Sequence, residues 1–221
     1  MNSNGPSQAN YDLIIFDLDG TLIDSVRLIL DSYHHTLDAH GLPPRSDDFW
    51  LRGLGTPLRA QFGEWGDDPD QIEAMVLTYR EYNLRYHDER VAAYPGVVAM
   101  ITAVLAGGAR TGLVTSKNRE GALRGLRVVG LENTMEVIIG ADDVERHKPH
   151  PEPVLRALSA LDVAPASALF IGDSVHDMES GRAAGIATGA VLWGPFSREE
   201  LAPTEPDHWL ESPGDLLALL G

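Results

Sequence analysis

Two aspartates separated by one residue, Asp17 and Asp19, end the apolar run that starts at Leu13 in YDLIIFDLDGTLIDS, residues 11–25. An ionised carboxylate at the mouth of a buried strand is costly unless a cation neutralises it or a reaction uses it. Three further sets of reactive side chains fall at comparable places. Thr115, Ser116 and Lys117 end the stretch RTGLVTSK, Asp173 and Asp177 follow ALFIG, and Lys148 lies in HKPHPEP.

Each set has a plainer reading when taken alone. Asp-x-Asp-Gly is common in turns and opens calcium loops. A calcium loop, however, wants a glutamate at its twelfth place, and position 28 is Leu28. Thr115 alone is a strand-end hydroxyl, Lys148 a surface lysine, and Asp173-Ser174 a helix cap. Those readings do not explain why every set falls at the end of an apolar run or, for Lys148, in the loop leading away from one, and that depends on the elements carrying them.

Five runs read as strands buried on both faces: 13–17, 110–115, 136–140, 168–172 and 187–193. They are continuous in apolar and β-branched residues instead of alternating, which suits a parallel sheet covered by helices. Helical patterns separate the last four, with Gly130 and Gly185 as stops. The expected fold is a doubly wound α/β domain, whose ligand site lies outside the carboxyl ends of the strands. All the sets above then meet at one edge.

The segment between the first and second strands is far longer than a crossover needs. Ser25 can cap a helix whose Val26, Ile29, Leu30, Tyr33 and Leu37 share one face up to Gly41. Asp68-Pro69 opens another, with Ile72, Met75, Val76, Tyr79 and Tyr86 on one side. Residues 26–92 therefore read as a small helical domain inserted into an α/β core of 11–25 and 93–221, with Tyr94-Pro95-Gly96 marking the return. The polar first ten residues read as a disordered tail, not a signal peptide.

Composition narrows the function classes. The 221 residues include 17 basic and 33 acidic ones, a formal charge of -16. Such a field repels nucleic acid and anionic membrane, so neither is an expected partner. There is no cysteine, which excludes disulfides, thiolate metal sites and a thiol nucleophile. No apolar run has the length of a membrane span, and a cytoplasmic protein is expected. No feature of the sequence specifies an oligomeric state.

DLDGTLIDS, the hydroxyl of LVTSK, the lysine of KPHPEPV and GDSVHD resemble, in order, the four motifs of the haloacid dehalogenase-like superfamily. The helical insert is similar to the helical cap of its first cap class. Within the superfamily, HDE, DDVE with KPHPEPV, GDSxHD and the late REEL…PDH look most like PpaX-type inorganic pyrophosphatases, with phosphoglycolate phosphatases next. The resemblance implies a Mg²⁺-dependent phosphohydrolase acting through an aspartyl-phosphate on a small anionic phosphate substrate. It makes Asp17 the nucleophile and Asp19 the acid that protonates the leaving oxygen and later takes a proton from water. Mg²⁺ would take Asp17, the backbone carbonyl of Asp19, and Asp173, with Asp177 helping directly or through water. Lys148 would offset the clustered negative charge. Thr115 and the Ser116 amide would hold phosphate oxygens, with the Leu18 and Gly20 amides as further donors.

The insert is expected to supply specificity. Arg52, beside two glycines in LRGLGTPL, is the candidate to clamp the far end of the substrate. Arg80, Asn83, Arg85 and His87 share a helix, and spacing does not choose among them. His176 is expected to be a surface residue at a helix start.

Overall fold

The computed structural model describes residues 11–66 and 68–220; the expected tail at 1–10 lies outside them. The chain enters with strand β1 (Leu13–Phe16), then the short β2 (Ile23–Asp24). Helices α1 (Val26–Ala39), α2 (Asp47–Arg52), α3 (Leu58–Phe62) and α4 (Pro69–Arg90) follow, and β3 (Ala92–Ala93) closes that excursion. Helices and strands then alternate: α5 (Val97–Ala106), β4 (Arg110–Val114), α6 (Arg119–Val128), β5 (Val137–Ile139), α7 (Glu152–Leu161), β6 (Ala168–Gly172), α8 (Val175–Ala183) and β7 (Ala187–Val191). The chain ends with α9 (Arg198–Leu201), β8 (His208–Leu210) and α10 (Pro213–Leu220).

The main sheet has the order β5-β4-β1-β6-β7-β8, parallel throughout. Alternate residues of one strand serve opposite faces, as the two-residue period requires. Ile14 and Phe16 pack with Leu113, Leu169, Ile171 and the α5 residues Met100, Ile101 and Val104. Leu13 and Ile15 pack on the other face with Val114, Phe170 and the α7 residues Val154, Ala157 and Leu158. Helices on both sides are why the strands read as unbroken apolar runs.

β1 lies between β4 and β6, with Phe16 opposite Leu113 and Ile171. Successive connections leave it in opposite directions, which opens a crevice beyond its carboxyl end. All five expected strands are present, four of them shorter than the apolar runs. Asp17 and Thr115 follow the last paired residues with their amides still donating to the neighbouring strands, to the Ile171 carbonyl at 2.9 Å and the Ile139 carbonyl at 3.0 Å, so the sheet edge itself fixes where their side chains emerge. β8, only three residues long, is not among the strands read from the sequence, and α9 and α10 are not among its helices.

α1 to α4 assemble around their own apolar cluster, with Ile29, Tyr33 and Leu37 of α1 against Met75, Val76 and Tyr79 of α4. Tyr33 stacks on Trp50 with ring centroids 4.0 Å apart and planes 4° from parallel. The two connections between this bundle and the sheet pair as antiparallel β2 and β3, Ile23 opposite Ala93. Ser25 does not cap α1 with its side chain; its Oγ donates instead to Asp19 at 2.5 Å. Among the described residues no helix is long and apolar enough to cross a membrane.

Candidate active site

The carboxyl ends of β1, β4 and β6 bring the reactive residues together as the sheet order requires. Lys148 is 3% exposed, and its Nζ donates to Asp17 Oδ1 at 2.8 Å and Asp177 Oδ1 at 2.6 Å. Asp177 Oδ2 accepts from the Ser174 amide at 3.0 Å and the Ser174 hydroxyl at 2.6 Å, a capping box that starts α8. Asp173 Oδ1 accepts from Thr21 at 2.7 Å, while its Oδ2 is buried without a partner.

Asp17, Asp173 and Asp177 each present an oxygen within 4.8 Å of the others. One lysine cannot neutralise three buried carboxylates. Burial, with the neighbouring Asp177 charge, pushes the Asp17 carboxyl up to about 7 against the pull of Lys148. Asp173 lies well above the ordinary carboxylate range through burial and the Asp177 and Asp17 charges. An orphaned buried oxygen in a carboxylate cluster short of cations fits a hard divalent metal ion.

The glycines around Asp173 have a steric role. Gly20 has φ +91°, and a Cβ there would lie 2.5 Å from Asp173 Oδ2. A Cβ on Gly194 would lie 2.6 Å from the Gly20 carbonyl oxygen and 2.7 Å from the Asp173 Cβ. Gly20 does not act as the expected anion donor: its amide donates to the Ile23 carbonyl at 3.0 Å. The amides of Leu18 and Ser116 have no acceptor among the described residues and stay available. Thr115 is buried, and its Oγ1 accepts from the Lys117 amide at 3.2 Å.

Asp19 is held apart from this cluster. Lys117 Nζ donates to its two oxygens at 2.8 and 3.1 Å, and Ser25 adds the third bond. Burial works to raise the Asp19 carboxyl, but Lys117 and Ser25 hold it below the usual range. From the sequence Ser25 is expected only as a helix cap, and Lys117 carries no role in the site. Lys117 stands two residues after Thr115, a spacing that gives no hint of which way its side chain turns.

A cavity of about 890 Å³ lies between the sheet edge and the bundle. Asp17, Asp19, Thr115 and Lys117 form part of its floor; Gly55, Arg80, Asn83 and His87 of the bundle line the other side. The Ser116 hydroxyl donates to the Gly55 carbonyl across the gap. Arg52 is exposed at the end of α2 and does not line the cavity. The glycine-flanked loop does reach the site, but with Gly55, because the turn after α2 sends Arg52 outward. His176 is not the expected surface residue either: its Nδ1 is buried without a partner and its ring packs near Gly55.

Comparison with known proteins agrees with this geometry. Residues 14–191 match the family model described as haloacid dehalogenase-like hydrolase. The chain is 40% identical over 215 residues to the pyrophosphatase PpaX of Bacillus pumilus, covering 97% of this chain and 99% of that protein. It is 39% identical over 212 residues to PpaX of Anoxybacillus flavithermus, covering 96% and 98%. A solved structure from Lactobacillus plantarum, provisionally described as a phosphoglycolate phosphatase, superposes with a TM-score of 0.85 at 30% identity, covering 95% of this chain and 99% of that one.

Proposed function

The chain belongs to the haloacid dehalogenase-like hydrolases, and on that footing we propose that it is a Mg²⁺-dependent inorganic pyrophosphatase working through an aspartyl-phosphate on Asp17. The carrying observation is the Asp17 carboxylate at the strand end, tethered by Lys148 beside the orphaned Asp173 oxygen. The bundle α1 to α4 acts as the cap over that site.

Asp17 attacks the near phosphorus: an O–P bond forms as the bond to the bridging oxygen breaks. Asp19 gives its proton to the departing phosphate, and then takes one from the water that releases the second phosphate from Asp17. In the free protein Lys117 and Ser25 favour ionised Asp19. An arriving phosphate competes for Lys117 and returns Asp19 toward its protonated form, which suits an acid needed only with substrate present. Lys148 stays with Asp17 and Asp177 and limits the repulsion between carboxylates and phosphate. Two like charges about 4 Å apart repel by about 4 kcal/mol at an effective dielectric near 20, so the approach needs such cations. Thr115 and the free amides of Leu18 and Ser116 hold the equatorial oxygens.

Asp17, Asp173 and the Asp19 carbonyl would hold Mg²⁺, with Asp177 acting through water because Ser174 and Lys148 already engage both its oxygens. When bound, the ion supplies Lewis-acid charge to the transferring phosphoryl group.

Phosphate release from pyrophosphate, 2-phosphoglycolate and p-nitrophenyl phosphate, with Mg²⁺ and with EDTA, tests this assignment. Pyrophosphate should have the highest kcat/KM, and EDTA should stop all three reactions. A clear preference for phosphoglycolate would replace the pyrophosphatase reading by the phosphatase one. That second reading has the Lactobacillus plantarum structure in its favour.

A further inference from the structure

His87, in the last turn of α4, is 1% exposed, yet its ring lines the cavity. Its Nδ1 lies 3.0 Å from Asp88 Oδ1. Asp88 is gripped in turn by Arg124 of α6, with Nε 2.8 Å from Oδ1 and Nη2 3.1 Å from Oδ2. The chain of contacts therefore crosses from the sheet domain to the bundle. The Arg124 hydrogen bonds, with that of His87, hold Asp88 down at about 2, so it accepts only and Nδ1 carries the proton. Nε2 is left buried with no partner. A buried ring nitrogen without a hydrogen bond is costly, and the intact relay on Nδ1 fixes the ring that way round.

We infer that His87 Nε2 recognises the leaving portion of the substrate when that portion is itself an anion, a second phosphate or a carboxylate, with Asp88 and Arg124 as positioning residues. This rests on the phosphohydrolase reading above and adds to it the group that selects among substrates. The charged groups around the ring are Asp88 on its own helix, Arg124 on α6, Asp19 after β1 and Lys117 after β4. They form two compensated pairs, Asp88 with Arg124 and Asp19 with Lys117. Asp19 delivers its proton to the leaving oxygen and lines the same cavity as His87, so the ring faces the leaving side of the substrate. Burial, with the Lys117 and Arg124 charges, holds the free imidazole below its ordinary value, so it rests neutral. An anionic oxygen at Nε2 places an acceptor on each side of the ring, which then takes a second proton from solvent and donates twice. An uncharged alcohol cannot recruit that second proton.

The test compares kcat/KM for pyrophosphate, 2-phosphoglycolate, glycerol 1-phosphate and p-nitrophenyl phosphate in the full-length wild type and four variants. His87→Asn offers an amide at the Nδ1 place and nothing at Nε2; His87→Gln restores a donor near Nε2. His87→Asn should lower the ratio of the better anionic substrate to p-nitrophenyl phosphate by about ten- to a hundredfold, mainly through KM. His87→Gln should recover part of that ratio. Arg124→Ala should reproduce the selective loss, and Arg124→Lys should recover part of it. Equal losses on all four substrates, or a larger loss on glycerol 1-phosphate, would overturn the inference while leaving the wild-type preference intact. A wild type with no preference for either anionic substrate would instead overturn the pyrophosphatase reading and this one together.

Discussion

Replacing Asp173 by asparagine should abolish turnover and yet make the metal-free protein more stable. The wild-type carboxyl is 1% exposed, satisfied on Oδ1 by Thr21, and orphaned on Oδ2 beside Asp17 and Asp177. Asparagine keeps an oxygen for Thr21, removes the charge, and offers an NH₂ group to the neighbouring carboxylates. Relief of one buried, unsatisfied polar group is worth about 1 to 3 kcal/mol, and more for a charge. The sign with pH follows from proton counting. Burial and the neighbouring carboxylates raise the folded-state pKa of Asp173 and bring Asp17 to about 7, whereas unfolded carboxyls titrate near 3.9. The folded state therefore binds more protons across that window, and metal-free stability falls as pH rises from about 4 through 7. Urea unfolding from pH 5 to 8, with EDTA and with excess Mg²⁺, measures this. Wild type should lose stability toward pH 8 in EDTA and regain about 2.7 kcal/mol with Mg²⁺ at a hundred times its Kd. The variant should start higher, slope less and respond little to Mg²⁺. A variant less stable than wild type in EDTA at every pH, or equal Mg²⁺ stabilisation of both, would refute the reasoning.

Asp17→Asn keeps the shape of the nucleophile without its charge, so phosphate release from every substrate should fall at least about a thousandfold, measured by single turnover; near-normal turnover would remove the covalent step. Gly194→Ala forces a Cβ against the Gly20 carbonyl and Asp173, so the Mg²⁺ concentration for half-maximal activity should rise about tenfold or more, with far-UV circular dichroism unchanged. Arg52→Ala should leave kcat/KM for pyrophosphate within about twofold of wild type, because the side chain is exposed and outside the cavity. A tenfold loss would return it to the site.

The sequence by itself determined what local patterns determine. The runs at β1, β4 and β6 have to be buried on both faces, which makes their ends the only places for Asp17, Thr115 and Asp173. The helical faces of α1 and α4 are equally explicit, since Ile29, Tyr33 and Leu37 recur at helical spacing on one and Ile72, Met75, Val76 and Tyr79 on the other, and in the bundle core Tyr33 stacks on Trp50 and meets Tyr79 at a tilt. What the sequence could not fix is where a side chain turns once it leaves its element. Lys117 reaches back 98 positions to Asp19, and Arg124 crosses to Asp88 on another helix. Arg52 turns away from a loop whose neighbour Gly55 reaches the site. Gly20 looked like a phosphate donor until Ile23 claimed its amide, and Gly194 carried no motif because its reason is a neighbour 174 positions earlier, the Gly20 carbonyl. Such contacts depend on strand order and the seating of the bundle on the sheet. Local propensity is blind to both, since the residues that must avoid or find one another share no stretch of chain, and only packing brings them within a few ångströms.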